Sequence, residues 1–184
     1  MPTATDHPIA PSDHRAPTGD VRRSLAAYLR DHRAGATFGL GLARRSQHAN
    51  AGTDLGRTLG VVAQEIEEDC RTLDTLMSRL GIRPSLVKMA FAKGADLLAL
   101  PKLHSRLRRY TPESRVLQLE ALTAGIRTKR HLWQALAAVS DERSTLDPAE
   151  LEHLIRRADA QLARLEAHHA PSSRAAFGGA GGQP

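Results

Sequence analysis

The sequence predicts an all-α protein, an antiparallel four- to five-helix up-down bundle, on three observations. Apolar residues recur at spacings of three and four through long segments, which is the helical period. Those segments are punctuated by helix-start signals such as Thr111-Pro112 and Asp147-Pro148,. Aromatic residues make up only 3% of the 184-residue chain, so the core is built from Leu, Ala, Val and Ile, which suits close-packed helices better than sheets.

The elements follow in order. Residues 1–19 hold Pro2, Pro8, Pro11 and Pro17 with no apolar period and predict a disordered tail,. A first helix is expected from Val21 to Ala49 behind Asp20 as N-cap, with Leu25, Tyr28, Leu29, His32, Ala36, Gly39, Leu42 and Ala43 on one face,. Gly35, Gly39 and Ala43 recur every four residues there, and small residues in register predict the close approach of another helix backbone. A second helix starts near Thr53 or Asp54 and stops at Gly81, ahead of Pro84,. Its stripe reads Leu55, Leu59, Val62, Ile66, Asp69, Leu73, Leu76, Leu80. A third helix is expected from Pro84 or Ser85 to Pro101, followed by a basic segment from Lys102 to Tyr110,. A fourth opens on Thr111-Pro112-Glu113 and carries Leu119, Leu122, Ile126, Lys129, Trp133 and Leu136,. A fifth opens on Asp147-Pro148 with Glu150 placed for a capping box, carries Leu151, Leu154, Ile155, Ala158, Leu162 and Leu165, and is expected to end before Pro171,. The helical-bundle domain therefore spans 20–170, and 171–184 reads as a disordered Gly-rich tail.

Composition narrows the function classes. No apolar run is long enough to span a bilayer, no export signal is visible and Cys70 has no second cysteine to pair with,. A cytoplasmic protein with no membrane partner is expected. The formal charge is +6, carried almost wholly by Arg, with Lys only at 88, 93, 102 and 129. Such a balance suits an acidic partner, but Arg- and Ala-rich helices are also what any solvated bundle from a GC-rich genome presents. No phosphate loop, Ser-centred elbow or zinc spacing occurs. Cys70, beside the acidic Asp69, reads as packing.

Two apolar stripes contain a charge. Asp69 falls between Ile66 and Leu73, and Lys129 between Ile126 and Trp133. A lone buried charge is very costly, so the economical arrangement is a pair inside the bundle. With Asp31, His32, Glu65 and Glu120 these residues form a candidate polar cluster at mid-bundle height. The plain alternative is a one-residue slip of register that sends Asp69 or Lys129 to solvent.

Asp31-His-x-Ala-Gly35, Glu65-Ile-Glu-Glu-Asp69, Leu119-Glu-Ala-Leu122 and Lys129-x-x-Leu-Trp133 resemble a group of bacterial helical-bundle proteins placed loosely in the ferritin-like superfamily. The resemblance implies a ferritin-like bundle. Di-metal members of that superfamily use a carboxylate from each of two helices and Glu-x-x-His from the other two. Here Glu65-x-x-Glu68 and Glu120-x-x-Thr123 lack the histidine. The two Glu-x-x-His matches, Glu150 to His153 and Glu166 to His169, lie on one helix and read as surface coincidences.

Three functions are therefore expected in rank. The first is a non-catalytic ferritin-like bundle with a metal-free buried polar network and a structural or stress-associated role, with homo-oligomerisation open. The second is a di-metal carboxylate oxidoreductase or metal-storage protein holding iron or manganese through Asp31, His32, Glu65, Asp69 and Glu120. The third is a non-specific nucleic-acid-associated module using Lys102, Arg106, Arg108 and Arg109, for which base-stacking aromatics are scarce.

Overall fold

The computed structural model describes residues 18–84, 111–140 and 145–178, and within them finds four helices and no strand. They are α1 (Thr18–Ala49), α2 (Asp54–Arg79), α3 (Pro112–Ala137) and α4 (Pro148–Phe177). The expected helix between Pro84 and Pro101, and the basic segment after it, lie outside the described residues apart from Pro84 itself.

Local chemistry explains most of the ends. The Thr53 hydroxyl accepts from the Gly56 amide and starts α2,. The far end closes with Ile82 N–H donating to Met77 C=O and Gly81 N–H to Ser78 C=O, while Gly81 adopts φ +67°. That pair of bonds satisfies the last carbonyls, and the left-handed residue suits glycine. Thr111 and Ser114 cap one another at the start of α3, with Pro112 in the first turn,. Asp147 accepts from the Ala149 amide and starts α4.

Four expectations about ends and faces change. Asp20 lies inside α1, which begins at Thr18, so the helix takes in the last residues of the expected tail. Glu150 does not close a capping box; its carboxylate accepts from Arg79 across the α2–α4 seam at 2.8 Å, because a charged partner outbids a backbone amide. Helix α4 runs through Pro171 to Phe177, since proline's fixed φ fits a helix and Ser172 one residue on is buried,. Among α4's apolar positions, Leu162 is only partly buried, and Gln161 takes the core position instead.

Cross-helix contacts set the directions. Ser46, late in α1, donates to Gln118, early in α3, at 2.9 Å, so these helices run antiparallel. Arg79 with Glu150, and Thr58 with His168, make α2 and α4 antiparallel as well. With α1 and α2 packed as one hairpin and α3 and α4 as another, the order of directions is up, down, down, up. All helix pairs whose backbones pack together are antiparallel, while α2 and α3 run the same way and sit diagonally. The 32-residue stretch 80–111 separates these two helices, and the expected third helix, which would restore an up-down succession, lies in it outside the described residues.

The core is divided along the bundle axis. One apolar cluster contains Leu42, Leu59, Ile66, Leu122, Ile126 and Leu165. The other contains Leu29, Leu76, Met77, Trp133, Leu136 and Leu151. Between them lies the height of Asp69, Lys129 and Gln161.

Candidate functional site

At that height three helices each send a polar side chain inward. Asp69 of α2 is 3% exposed, and Gln161 of α4 is fully buried. The Lys129 ammonium of α3 donates to the Asp69 carboxylate and to Gln161 Oε1. Gln161 Nε2 donates to Asp69 at 3.3 Å. Arg157, one turn before Gln161, donates to the other Asp69 oxygen and reaches Glu68 at 3.3 Å. One buried carboxylate thus holds two cations, with Glu68 at the rim balancing the second. Burial pushes the Lys129 ammonium below the ordinary lysine range, against the opposing pull of Asp69,.

The fourth helix contributes differently. At this height α1 presents His32, Gly35, Ala36 and Gly39, and a cavity of about 470 Å³ opens between α1 and α3. Its floor is apolar, with Leu42, Ile66, Leu73, Leu122, Ile126 and Leu132 all buried. Its opening is marked by the exposed residues Tyr28, Asp31, Gly35, Gly125 and Thr128. Asp69, Lys129 and Trp133 complete the wall. The small residues of α1 were expected to admit a neighbouring backbone. Ala43 is packed in the core, but a Cβ built on Gly35 or Gly39, or on Gly125 of α3, meets nothing within 4 Å. The missing side chains make space rather than contact.

Two features of the wall bear on chemistry. The His32 ring packs edge-on against Tyr28 with centroids 4.4 Å apart. Burial pushes its pKa below the ordinary imidazole range, with Asp31 opposing,. Trp133 is 1% exposed, and its indole Nε1 has no hydrogen-bond partner among the described residues.

The expected cluster is divided. Asp69 and Lys129 meet, and Asp31 and His32 line the same cavity. Glu65 lies one turn along α2 and accepts from Arg164 of α4. Glu120 faces solvent on α3 and pairs with His169 at 3.2 Å. The five side chains of the metal reading therefore do not converge, and a lysine stands against the innermost carboxylate. Among the described residues no three His, Cys, Asp or Glu side chains group closely enough to hold an ion. The donor set does not fit a di-metal centre. Glu166 of the two Glu-x-x-His pairs is bound to Arg127 at 2.7 Å and His153 is exposed. Lys102, Arg106, Arg108 and Arg109 lie outside the described residues. Cys70 is buried, and burial raises its thiol pKa.

Gln161, Arg157 and the indole N–H of Trp133 escaped the sequence reading. A signal for Gln161 was present: Leu151, Leu154, Ala158, Gln161 and Leu165 follow strict three-four spacing, and all five are buried. Arg157 then follows as the residue one turn from Gln161 on the side facing α2.

Comparison of the chain with protein-family models, with curated proteins and with solved structures gives no match. Among the described residues no helix is long and apolar enough to cross a membrane.

Proposed function

We propose that this chain is a non-catalytic helical bundle of ferritin-like connectivity that works by holding a small, largely apolar molecule between α1 and α3. The connectivity reading is supported by the up, down, down, up order of the four described helices, with 32 residues between the second and the third, since ferritin-like bundles join their two hairpins by a long crossover. On this reading a metal-free ion-paired layer takes the place of metal carboxylates and carries the structural role.

The observation that carries the binding reading is the cavity itself. Protein interiors are close-packed, with few voids larger than a water molecule. A space of about 470 Å³ lies within the usual range for small-molecule sites, about 300–1,000 Å³. It is kept open by three glycines in helices, each costing roughly 1 kcal/mol against alanine.

The test is an equilibrium titration with the uncharged fluorophore 1-aminoanthracene. Saturable one-to-one binding is expected in the wild type, with loss in a Gly35→Leu/Gly39→Leu variant that fills the space and keeps its helical circular dichroism. Non-saturable binding, or equal binding in the filled variant, sinks the reading.

A further inference from the structure

The wall of the cavity constrains the chemistry of its occupant. Size comes first. A space of about 470 Å³ is roughly three times the ~150 Å³ apolar cavity that holds benzene, so a two- or three-ring body fits.

Polar groups with surface to offer come next. Most of those in the wall are committed or sealed. Lys129 serves Asp69 and Gln161. The Thr128 hydroxyl donates to Ala124 C=O of its own helix at 3.0 Å. The Trp133 indole nitrogen is sealed within the core. Tyr28 is exposed at the opening, where water competes for its hydroxyl. His32 differs from all of these. Its ring is partly buried, makes no hydrogen bond among the described residues, and keeps accessible surface at its nitrogens. It also lies on the open face of α1. Tyr28, Gly35, Ala36 and Gly39, all within two turns of it, line the same cavity. A Cβ built on Gly35 or Gly39 meets nothing within 4 Å, so among the described residues nothing fills the space on the C-terminal side of the ring.

Protonation and charge are the third constraint. Burial favours the neutral ring,. A neutral imidazole has one N–H, which donates, and one bare nitrogen, which accepts. The Asp31 carboxylate acts on this ring and favours the tautomer that turns the N–H toward it. The bare nitrogen is then left for the occupant, and it needs a donor. Lys129 and Asp69 match one another, and Asp31 adds a negative charge at the opening. An anion is repelled there, and any ion gives up hydration on entering a mostly apolar space.

We infer that the cavity takes an uncharged, largely apolar molecule bearing one hydroxyl, which donates its hydrogen bond to a ring nitrogen of His32. This rests on reading the cavity as a binding site, and the test separates the two claims.

Probes of one shape serve: naphthalene, which is hydrocarbon only; 1-naphthol and 2-naphthol, which add a donating hydroxyl at two positions; 2-methoxynaphthalene, whose oxygen only accepts; and 2-naphthoate, which adds a charge. Each is competed against 1-aminoanthracene on the full chain at pH 8. The better naphthol is expected to bind about tenfold tighter than naphthalene, the size of effect one buried hydrogen bond gives. Methoxynaphthalene is expected to match naphthalene, and naphthoate to bind weakest. In His32→Phe, naphthol and naphthalene are expected to bind equally, while His32→Gln, which keeps a polar group at the site, retains part of the difference. An independent readout uses the wild type alone. With 15N-labelled histidine, one imidazole among the nine of the chain is expected to shift at its bare nitrogen with naphthol and far less with naphthalene. Equal affinity for naphthalene and both naphthols, with no such shift, overturns the hydroxyl while leaving the binding reading intact. Methoxynaphthalene binding as tightly as naphthol overturns the direction of the hydrogen bond. A naphthol advantage that survives intact in His32→Phe overturns the role of His32. Tightest binding by naphthoate overturns the requirement for a neutral ligand. Failure of every probe and of 1-aminoanthracene overturns the binding reading and this inference with it.

Discussion

The two hairpins of this bundle meet along two seams, and the seams are built in opposite ways. Between α2 and α4 the backbones approach at few points, and long charged side chains bridge the gap. Arg79 with Glu150, Arg157 with Glu68 and Asp69, and Arg164 with Glu65 form a ladder along it. Between α1 and α3 the same mid-height gap faces Gly35, Gly39 and Gly125, and among the described residues no side chain fills it. One seam is closed by reach and charge, the other left open by small residues. A void of this size beside a fully committed charge layer separates holding the fold together from holding a ligand. The closed seam does the first and the open seam is available for the second.

The largest expected effects come from the closed seam. Asp69→Leu leaves the buried Lys129 without a counter-ion and Arg157 with Glu68 alone, and a loss of about 3–5 kcal/mol is expected in urea unfolding. Lys129→Met removes one of two cations and leaves Asp69 paired with Arg157, so its loss is expected to be smaller. The double variant is expected to be more stable than Asp69→Leu alone, because breaking a buried pair costs more than replacing both members with apolar groups. Additivity of the two single losses would show that the pair is not coupled.

Effects at the open seam are expected to be smaller and of opposite sign. Gly39→Ala should stabilise by about 1 kcal/mol, since a Cβ there meets nothing and alanine is the better helix former,. A destabilising result would mean that the cavity wall is tighter than described.

Acid tests the same seam through His32. Its folded pKa lies below its unfolded value of 6.5 because burial disfavours the imidazolium. Between those two values the unfolded chain binds more protons. The stability that His32 contributes is therefore fully present above about pH 6.5 and is lost as pH falls through the folded value. The drop in urea midpoint from pH 7.5 to pH 5 is expected to shrink in His32→Gln. An unchanged drop would show that His32 is not its source.

The smallest effect is expected at the rim. Arg127 and Glu166 are both more than half exposed, and Arg127→Ala should stay within about 0.5 kcal/mol of wild type.

The positions of α2, α3 and the start of α4 were legible because capping and periodicity are local physics. Thr53, Thr111 and Asp147 meet their amides within three residues, and apolar spacing reports which face is buried. The Asp69–Lys129 meeting was legible for a related reason: each charge interrupts a stripe, and a charge at a core position needs a partner. The far end of α4 was not, because a proline inside a helix costs about 3 kcal/mol locally, while the turn that continues through it, with Ser172 buried, is a tertiary outcome.

By itself, then, the sequence determined an all-helical chain, most helix boundaries and the presence of opposite charges in two buried stripes. Each of these depends on neighbours no more than a few turns away. Tertiary structure alone decided that Gln161 and Arg157 complete the layer, that Glu65 and Glu120 turn to other partners, and that Gly35, Gly39 and Gly125 line one cavity. Those outcomes depend on which helix lies opposite which, and at what height. No short-range spacing encodes that relation, and it is fixed only when the two hairpins dock.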